Sequence, residues 1–395
     1  MILTNKQEQG LKIAIDRYKA REPYTIISGY AGSGKSTLIR FIIDALGIPD
    51  EFICFAAYTG KASQVLKEKG NPNPMTLHKL LYKPIPKRDG GFIFKPKEDL
   101  EGLLLVVVDE VSMVPGSMWN LLLSYGVHVI ALGDPSQLPP VDKKDTQDVL
   151  AHPHIFLDEI MRQAYDSEII RLSMWIREGK PLSDYQGSNQ EVMIVDRLNE
   201  GMLTWADQIL CATNKTRTSL NKQYRNLLGF GAQPQIGDKI ISLRNQWDFG
   251  SLSIDPAPLT NGSIGVITEC NRDYFSFPRE IVPEGSVPIL WTNMTDECGE
   301  NFMSIPIDYC SLFKGKKFLR DDQEGRIRLS KKKDMDPLPF EFAYAYAITV
   351  WKYQGSQNNK ILLFEEDFPF DEETHKRYLY TGITRAVDKI VIVRK

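Results

Sequence analysis

The feature that most constrains this chain is a glycine loop, Gly29-Tyr30-Ala31-Gly32-Ser33-Gly34-Lys35-Ser36, set between an apolar run from Tyr24 to Ser28 and a helical pattern from Ser36 to Leu46. The spacing is G-x-x-x-x-G-K-S, and strand, loop, helix is the setting in which that spacing works. Glycines let backbone N–H groups turn inward around phosphate oxygens. Lys35 would neutralise the β- and γ-phosphates, and the Ser36 hydroxyl is placed to ligate Mg²⁺. Such a unit commits the chain to an α/β fold with a parallel sheet.

The rest of the sequence keeps that rhythm. A helical period from Lys6 to Ala20 opens the chain, and Glu51 to Ala57, Leu103 to Val108 and Val127 to Leu132 read as further strands, with a helix from Lys61 to Lys69. These strands are continuously apolar instead of alternating, which predicts a sheet covered on both faces. Between Leu81 and Leu100 the pattern breaks at Asp89-Gly90-Gly91, predicting a protruding β-hairpin over 82–97. A second α/β half follows Pro140, with a helix from Asp166 to Arg177 and a strand from Gln208 to Ala212. It is interrupted from Val266 to Met335 by strand-like pieces and turns that read as a small inserted β-domain, and it resumes at Phe340. The expected organisation is therefore 1–150 with the 82–97 hairpin, then 151–265 and 336–395 around an insert at 266–335.

Polar residues at the carboxyl ends of parallel strands are site candidates. Val106-Val107-Val108-Asp109-Glu110 places two carboxylates there, which costs solvation unless a cation or a proton transfer uses them. Asp109 would hold Mg²⁺, directly or through water, and Glu110 would orient and deprotonate the attacking water. Leu132-Gly133-Asp134-Pro135-Ser136-Gln137-Leu138-Pro139-Pro140 follows the next strand and brings an amide, Gln137, near the γ-phosphate. These residues imply a Mg-dependent nucleoside triphosphatase.

Composition narrows the setting. With 42% apolar and 25% charged residues the chain has the make-up of an ordinary soluble protein, and no apolar run approaches the roughly 18 residues of a membrane span. The N-terminus turns polar at Thr4, and the five cysteines include no C-x-x-C pair, so a reducing cytoplasm is expected. His152-Pro153-His154 is a lone pair, not a zinc or nuclease cluster. The formal charge of −3 provides no global positive field, so a nucleic-acid partner would be held by local patches.

Taken together, Asp-Glu-Val-Ser at 109–112 and the Gly-Asp-Pro-Ser-Gln-Leu-Pro-Pro segment at 133–140 resemble motifs II and III of superfamily 1 helicases, and specifically the class B branch of RecD-like and phage Dda-type enzymes. Further motifs follow along the chain. Gln7 resembles the glutamine that reads the adenine edge, with Gly29, Gly32, Gly34, Lys35, Ser36, Thr37 and Gly355 completing the nucleotide-binding set. Arg162 in Met-Arg-Gln resembles motif IV, and Arg385 in Tyr380-Thr-Gly-Ile-Thr-Arg-Ala resembles motif VI. The two arginines are candidate fingers for charge gathering on the γ-phosphate. Ala57-Tyr-Thr-Gly-Lys-Ala and Thr76-Leu-His resemble motifs Ia and Ib, and Ala347 to Ser356 resembles motif V. The resemblance makes Thr59, Lys61, His78, Thr349, Trp351 and Lys352 candidate strand contacts. Tyr58 stands where relatives often have proline and Trp351 where they commonly have histidine. Asn261-Gly262-Ser263-Ile264-Gly265 resembles the short turn before the inserted β-domain of these enzymes.

The resemblance implies two RecA-like α/β domains with parallel sheets, a β-hairpin insertion and a small β-barrel-like insertion. It implies ATP and Mg²⁺ as cofactors and single-stranded and forked DNA as partners. The activity implied is 5′-to-3′ unwinding by a cytoplasmic monomer, in replication, recombination or repair alongside single-strand-binding or recombination proteins. The choice of DNA over RNA and the polarity come from the resemblance alone. Basic stretches at Lys79–Lys97 and Lys314–Lys333 offer phosphate contacts, although a charge run is usually a solvated face. Phe92 and Phe94, near the hairpin tip, are the candidate strand-separating pin, with packing of the hairpin as the alternative. Another reading of the whole chain is a strand-stimulated ATPase that remodels nucleoprotein complexes and hardly unwinds. A phosphate-loop kinase does not call for the motif V and VI resemblances.

Overall fold

In the computed structural model the chain divides into two compact units, Met1–Tyr82, Pro96–Thr213 and Ile348–Lys395 forming one, Lys83–Lys95 and Asn214–Ala347 the other. The structure describes residues 3–86, 92–100, 102–139, 148–161, 165–188, 190–252, 258–297, 299–329, 337–366 and 371–394. In chain order the strands are β1 (Tyr24–Gly29), β2 (Ile53–Ala57), β3 (Met75–Thr76), β4 (Tyr82–Pro86), β5 (Phe92–Pro96), β6 (Leu105–Asp109), β7 (His128–Gly133), β8 (Ile155–Leu157), β9 (Val192–Val195) and β10 (Gln208–Cys211). They continue with β11 (Lys239–Ser242), β12 (Gln246–Gly250), β13 (Pro258–Leu259), β14 (Ile264–Ser276), β15 (Ser286–Asp296), β16 (Asn301–Asp308), β17 (Phe342–Tyr344), β18 (Ala347–Thr349), β19 (Asn358–Phe364) and β20 (Ala386–Val393).

The first unit holds two sheets. One runs β3-β2-β6-β7-β1-β8, every pair parallel. Alternate residues of the same strands enter different cores. Cys54, Ala56, Val106, Val108, Val129 and Ala131 pack with Leu77, Trp119 and Leu122 on one face. On the other face Ile53, Phe55, Leu105, Val107, Ile130 and Leu132 pack with Leu38, Ile42 and Leu66. A strand buried on both sides has no position left for a polar side chain until its end, which explains the uninterrupted apolar runs. The second sheet, β18-β10-β19-β20-β9, has parallel pairing among β10, β19, β20 and β9.

The structure adjusts several expected boundaries. A 3₁₀ turn, Asp50–Phe52, follows Pro49 and delays the second strand to Ile53. Gly102 at φ 78° turns the chain, so the third begins at Leu105 and leaves Leu104 exposed. The expected insert at 266–335 is too narrow. Its antiparallel sheet, β16-β15-β14-β11-β17, recruits Lys239–Ser242 and Phe342–Tyr344 from sequence assigned to the second α/β half. Helices Asn214–Leu227, Tyr309–Lys314 and Asp321–Leu329 also belong to this second unit, and the hairpin residues Lys83–Lys95 group with it, not with the first α/β half. Local pattern does not reveal such pairings, because an apolar tetrapeptide fits a parallel core and an antiparallel sheet equally well.

A buried ion pair anchors the second unit. Asp238, fully shielded from solvent, accepts from Arg225 Nε at 2.7 Å and Nη2 at 3.0 Å, from the Tyr346 hydroxyl at 3.1 Å and from Gln235 N at 2.9 Å. Removing one member leaves an uncompensated charge in a dry site. Asp238→Ala is expected to lower stability by about 3–5 kcal/mol, read as a lower urea midpoint at unchanged slope.

Candidate active site

The glycine loop leaves β1 at Gly29, where an added Cβ would lie 2.8 Å from the Leu157 carbonyl oxygen. Gly32 and Gly34 take φ of 76° and 81°, the left-handed region that glycine enters without a Cβ penalty. The helix that follows, Lys35–Leu46, has no side-chain cap and no acidic residue in its first turn. Its first amides therefore have no side-chain acceptor, which is the condition for an anion site at a helix start. The Lys35 ammonium donates to the Gly29 and Tyr30 carbonyls at 2.7 and 3.0 Å. Ser36 is exposed and Thr37 half-buried at the same turn.

Gln7 is 1% exposed, in the first turn of helix Asn5–Lys19. It closes a capping box with Thr4, and its Nε2 donates to the Ser33 carbonyl at 3.4 Å. Both ends of its amide are thus on protein atoms, and it buttresses the phosphate loop from behind. A Cβ on Gly34 would sit 2.4 Å from that Nε2.

Asp109 ends β6, with its Oδ1 accepting from Glu110 N at 2.9 Å. Burial, and next the Glu110 charge, hold its carboxyl above the usual range, while Lys35 pulls the other way. Glu110 is in the left-handed region, φ 52° and ψ 45°, a conformation a non-glycine residue keeps only where its surroundings require it. Its Oε1 is 3.5 Å from Arg385 Nη1, and its buried Oε2 has no partner. Gln137 is buried with Oε1 likewise unpartnered, as are the hydroxyls of Ser33 and Ser112. Two acceptor oxygens and two hydroxyls left open around a lysine and an acid pair fit a hydrated triphosphate and its cation, since such groups are otherwise hydrogen-bonded.

The second sheet supplies the opposite wall. Arg385 is 3% exposed and donates to the Thr381 carbonyl at 3.1 Å, the Ser356 carbonyl at 3.4 Å and the Thr384 hydroxyl at 3.1 Å. Helix Glu372–Ile383 is tied to the loop after β7 by Leu138 N donating to Thr381 Oγ1 at 2.9 Å, and Gln354 Nε2 donates to the Leu138 carbonyl at 2.8 Å. Gly355, at φ 78°, passes so close to Thr59 Oγ1 and Ala62 that a Cβ would meet them at 3.1 and 3.0 Å. Glu110 and Arg385, from the two sheets, are thus brought within 3.5 Å of each other, and Gly355 reaches Thr59 and Ala62 of the first. Arg162 lies outside the described residues; Met161, just before it, donates its N–H to the Gly32 carbonyl at 3.0 Å.

Three further residues reach this cleft without having been singled out in sequence. The Tyr380 hydroxyl sits between Asp134 Oδ2, 2.6 Å, and Ala31 N, 2.9 Å. The Arg177 guanidinium lies 3.6 Å over the Tyr30 ring with Nη1 buried and unpartnered. Arg377 Nη1 donates to the Gln137 carbonyl at 3.5 Å. Tyr380, with its partner Asp134, lies inside the segments that resemble motifs VI and III, whereas Arg177 and Arg377 carry no motif signal.

The strand candidates are placed less uniformly. Thr59 Oγ1 caps helix Gly60–Glu68 by accepting from Ala62 N at 3.2 Å, and Lys61 is half-buried beside it. His78 lies between Tyr58 and Tyr82, at centroid distances of 5.7 and 6.0 Å, and burial pushes it down to about 4, so it is neutral at pH 7. Thr349 is buried, Lys352 is half-buried, and Trp351 stacks on Tyr378 at 5.9 Å, which commits one indole face to the protein. Phe92 and Phe94 fall on β5, but their side chains lie outside the described residues. In the stretch after Lys314, Lys317 pairs with Asp321 and Glu324 and Arg320 with Asp322, so part of that charge is spent internally. No helix among the described residues is long and apolar enough to cross a membrane.

Residues 4–196 match the AAA domain family and residues 344–393 the UvrD-like helicase C-terminal domain family. The chain is 29% identical over 191 residues to the ATP-dependent DNA helicase dda of Enterobacteria phage T4, covering 45% of this chain and 43% of that protein. It is 33% identical over 164 residues to the ATP-dependent RecD2 DNA helicase of Deinococcus radiodurans, covering 39% and 22%. The chain thus spans less than half the length of these relatives. Its fold is similar to that of Bacteroides Pif1 helicase in complex with ADP-AlF3 and ssDNA, at TM-score 0.52 and 19% identity over 99% of this chain and 92% of that one.

Lys35→Ala removes the ammonium held at the Gly29 and Tyr30 carbonyls and is expected to abolish ATP hydrolysis with the fold intact. Glu110→Gln should lower hydrolysis by about 10²–10⁴-fold, the usual contribution of a general base, while nucleotide still binds. Turnover and calorimetric binding on the two variants check both statements.

Proposed function

We propose that this chain, which pairs an AAA domain match with a UvrD-like helicase C-terminal domain match and resembles class B superfamily 1 helicases in its motifs, is an ATP-driven motor that moves 5′ to 3′ along single-stranded DNA and separates duplex at forks. The observation that carries the reading is the approach of Arg385 to Glu110, 3.5 Å across the cleft. A cation from the second sheet meets the acid that would serve hydrolysis on the first, so the geometry of the chemistry depends on how the two halves close.

In this reading Lys35 and the loop amides hold the β- and γ-phosphates. Glu110 takes the proton of the water that attacks the γ-phosphorus, and ADP leaves with the bridging oxygen. Gln137 positions the water, and Arg385, joined by Arg162, stabilises the charge that builds on the transferring group. Ser36 and Asp109 would hold Mg²⁺, which supplies charge neutralisation at the phosphates. Gln7 acts through Ser33 on the shape of the loop.

Thr59, Lys61, His78, Thr349, Trp351 and Lys352 form the strand-facing set. The contact of Gly355 with Thr59 and Ala62 supports this, since it sets the motif V segment beside motif Ia. A neutral His78 would contribute by stacking or hydrogen bonding, not by charge. A strand affinity that differs between the open and closed cleft is what turns hydrolysis into movement. The protein would work as a cytoplasmic monomer, with forked DNA and single-strand-binding or recombination proteins as partners.

The primary test is Mg-ATP hydrolysis with and without single-stranded DNA, beside unwinding of duplexes carrying a 5′ or a 3′ tail. The expected result is strand-stimulated turnover with unwinding from the 5′ tail alone. Stimulation without unwinding from either tail would mark a nucleoprotein remodeller. In the same assay, Phe92→Ala with Phe94→Ala should keep strand-stimulated hydrolysis and lose unwinding; unchanged unwinding would remove the pin assignment.

A further inference from the structure

Building on the nucleotide site proposed above, we infer that Tyr380 is a positioning residue whose hydroxyl occupies a phosphate-binding amide until a nucleoside triphosphate displaces it. Tyr380 is 1% exposed and arrives on helix Glu372–Ile383, in the segment that also delivers Arg385. Its O–H donates to Asp134 Oδ2 at 2.6 Å and its oxygen accepts from Ala31 N at 2.9 Å. One hydroxyl therefore ties the helix of the second sheet to two loops of the first.

Ala31 is the third residue of the glycine loop, one position before the left-handed turn at Gly32, and we take its N–H as one of the amides such a loop offers to phosphate oxygens. A phenol oxygen and a phosphate oxygen are alternative acceptors for that one hydrogen. The phosphate is the stronger, because its bond is charge-assisted. Nucleotide binding then gains that bond but loses the bond from Ala31 to Tyr380, so the wild-type hydroxyl weakens binding by what it contributes in the ligand-free cleft.

The displaced phenol stays tethered through Asp134. That carboxylate is 3% exposed and its other oxygen accepts from Ser136 N at 2.9 Å, beside Gln137. Movement of Tyr380 away from Ala31 is transmitted in one direction to the loop that holds Gln137. In the other it reaches the turn after helix Glu372–Ile383 that holds Arg385. Filling the phosphate loop and positioning the catalytic groups are thus joined at one oxygen atom.

The test is Tyr380→Phe, which keeps the ring and removes the oxygen. Affinity for the non-hydrolysable analogue adenosine 5′-(β,γ-imido)triphosphate with Mg²⁺ is measured by calorimetry, and strand-stimulated kcat and KM by turnover. The variant should bind the analogue about three- to tenfold more tightly, the worth of one competing hydrogen bond, while kcat falls roughly tenfold. Unchanged or weaker binding overturns the inference, and so does an unchanged kcat. Thermal unfolding separates this from a merely structural role: the analogue should raise Tm more in the variant than in the wild type, whereas a uniform drop with an unaltered ligand gain overturns it. If the wild type and Lys35→Ala bind the analogue equally, the nucleotide site itself fails, and the two failures remain distinct.

Discussion

A guanidinium placed where almost no water reaches must find its acceptors in protein, and Arg385 finds them in the Thr381 and Ser356 carbonyls, the Thr384 hydroxyl and the Glu110 carboxylate. Three of these belong to its own half of the cleft and one to the other. The three local bonds fix where the cation points. The fourth sets two walls against each other, because a buried charge without a counter-charge is costly. Glu110 holds its side of the arrangement in a backbone conformation unusual for a glutamate, so the strain just after β6 and the charge in the turn that follows helix Glu372–Ile383 belong to the same device.

Much of this was legible in the sequence, because the physics involved is local. Continuous apolar runs announced strands with two covered faces, and β1, β2, β6 and β7 have them. The glycine loop and the Asp109–Glu110 pair were readable because each depends on neighbouring residues: a turn that needs positive φ, and a strand end where polar groups first become possible. What escaped depends on distant partners. Lys239–Ser242 joins Phe342–Tyr344 by pairing that neither segment encodes alone. Arg177 reaches Tyr30 from the last turn of a helix whose pattern shows only an ordinary amphipathic surface. Tyr380 sat in a motif that drew attention to its arginine, yet the phenol touches more of the first half than any spacing argument could indicate.

The face assigned to the strand has a different character from the cleft. Its candidates are largely engaged by protein: Thr59 as a helix cap, Trp351 against Tyr378 and His78 between two tyrosines. Such side chains are already ordered before a ligand arrives, so less rotamer entropy is lost on binding. With a formal charge of −3, attraction for a strand would rest on local cations, and within Lys314–Lys333 the charges of Lys317 and Arg320 are already paired internally.

The capping box at Thr4 and Gln7 carries a consequence for folding as well as for binding. Helix starts are where chains fray, and Gln7 is both the third residue of its helix and the prop beneath Ser33. When the first turn opens, the loop loses its support in the same event. Amide exchange at the start of helix Asn5–Lys19 and at the glycine loop would then belong to one cooperative opening, and a ligand that fills the loop would slow exchange at the helix start as well.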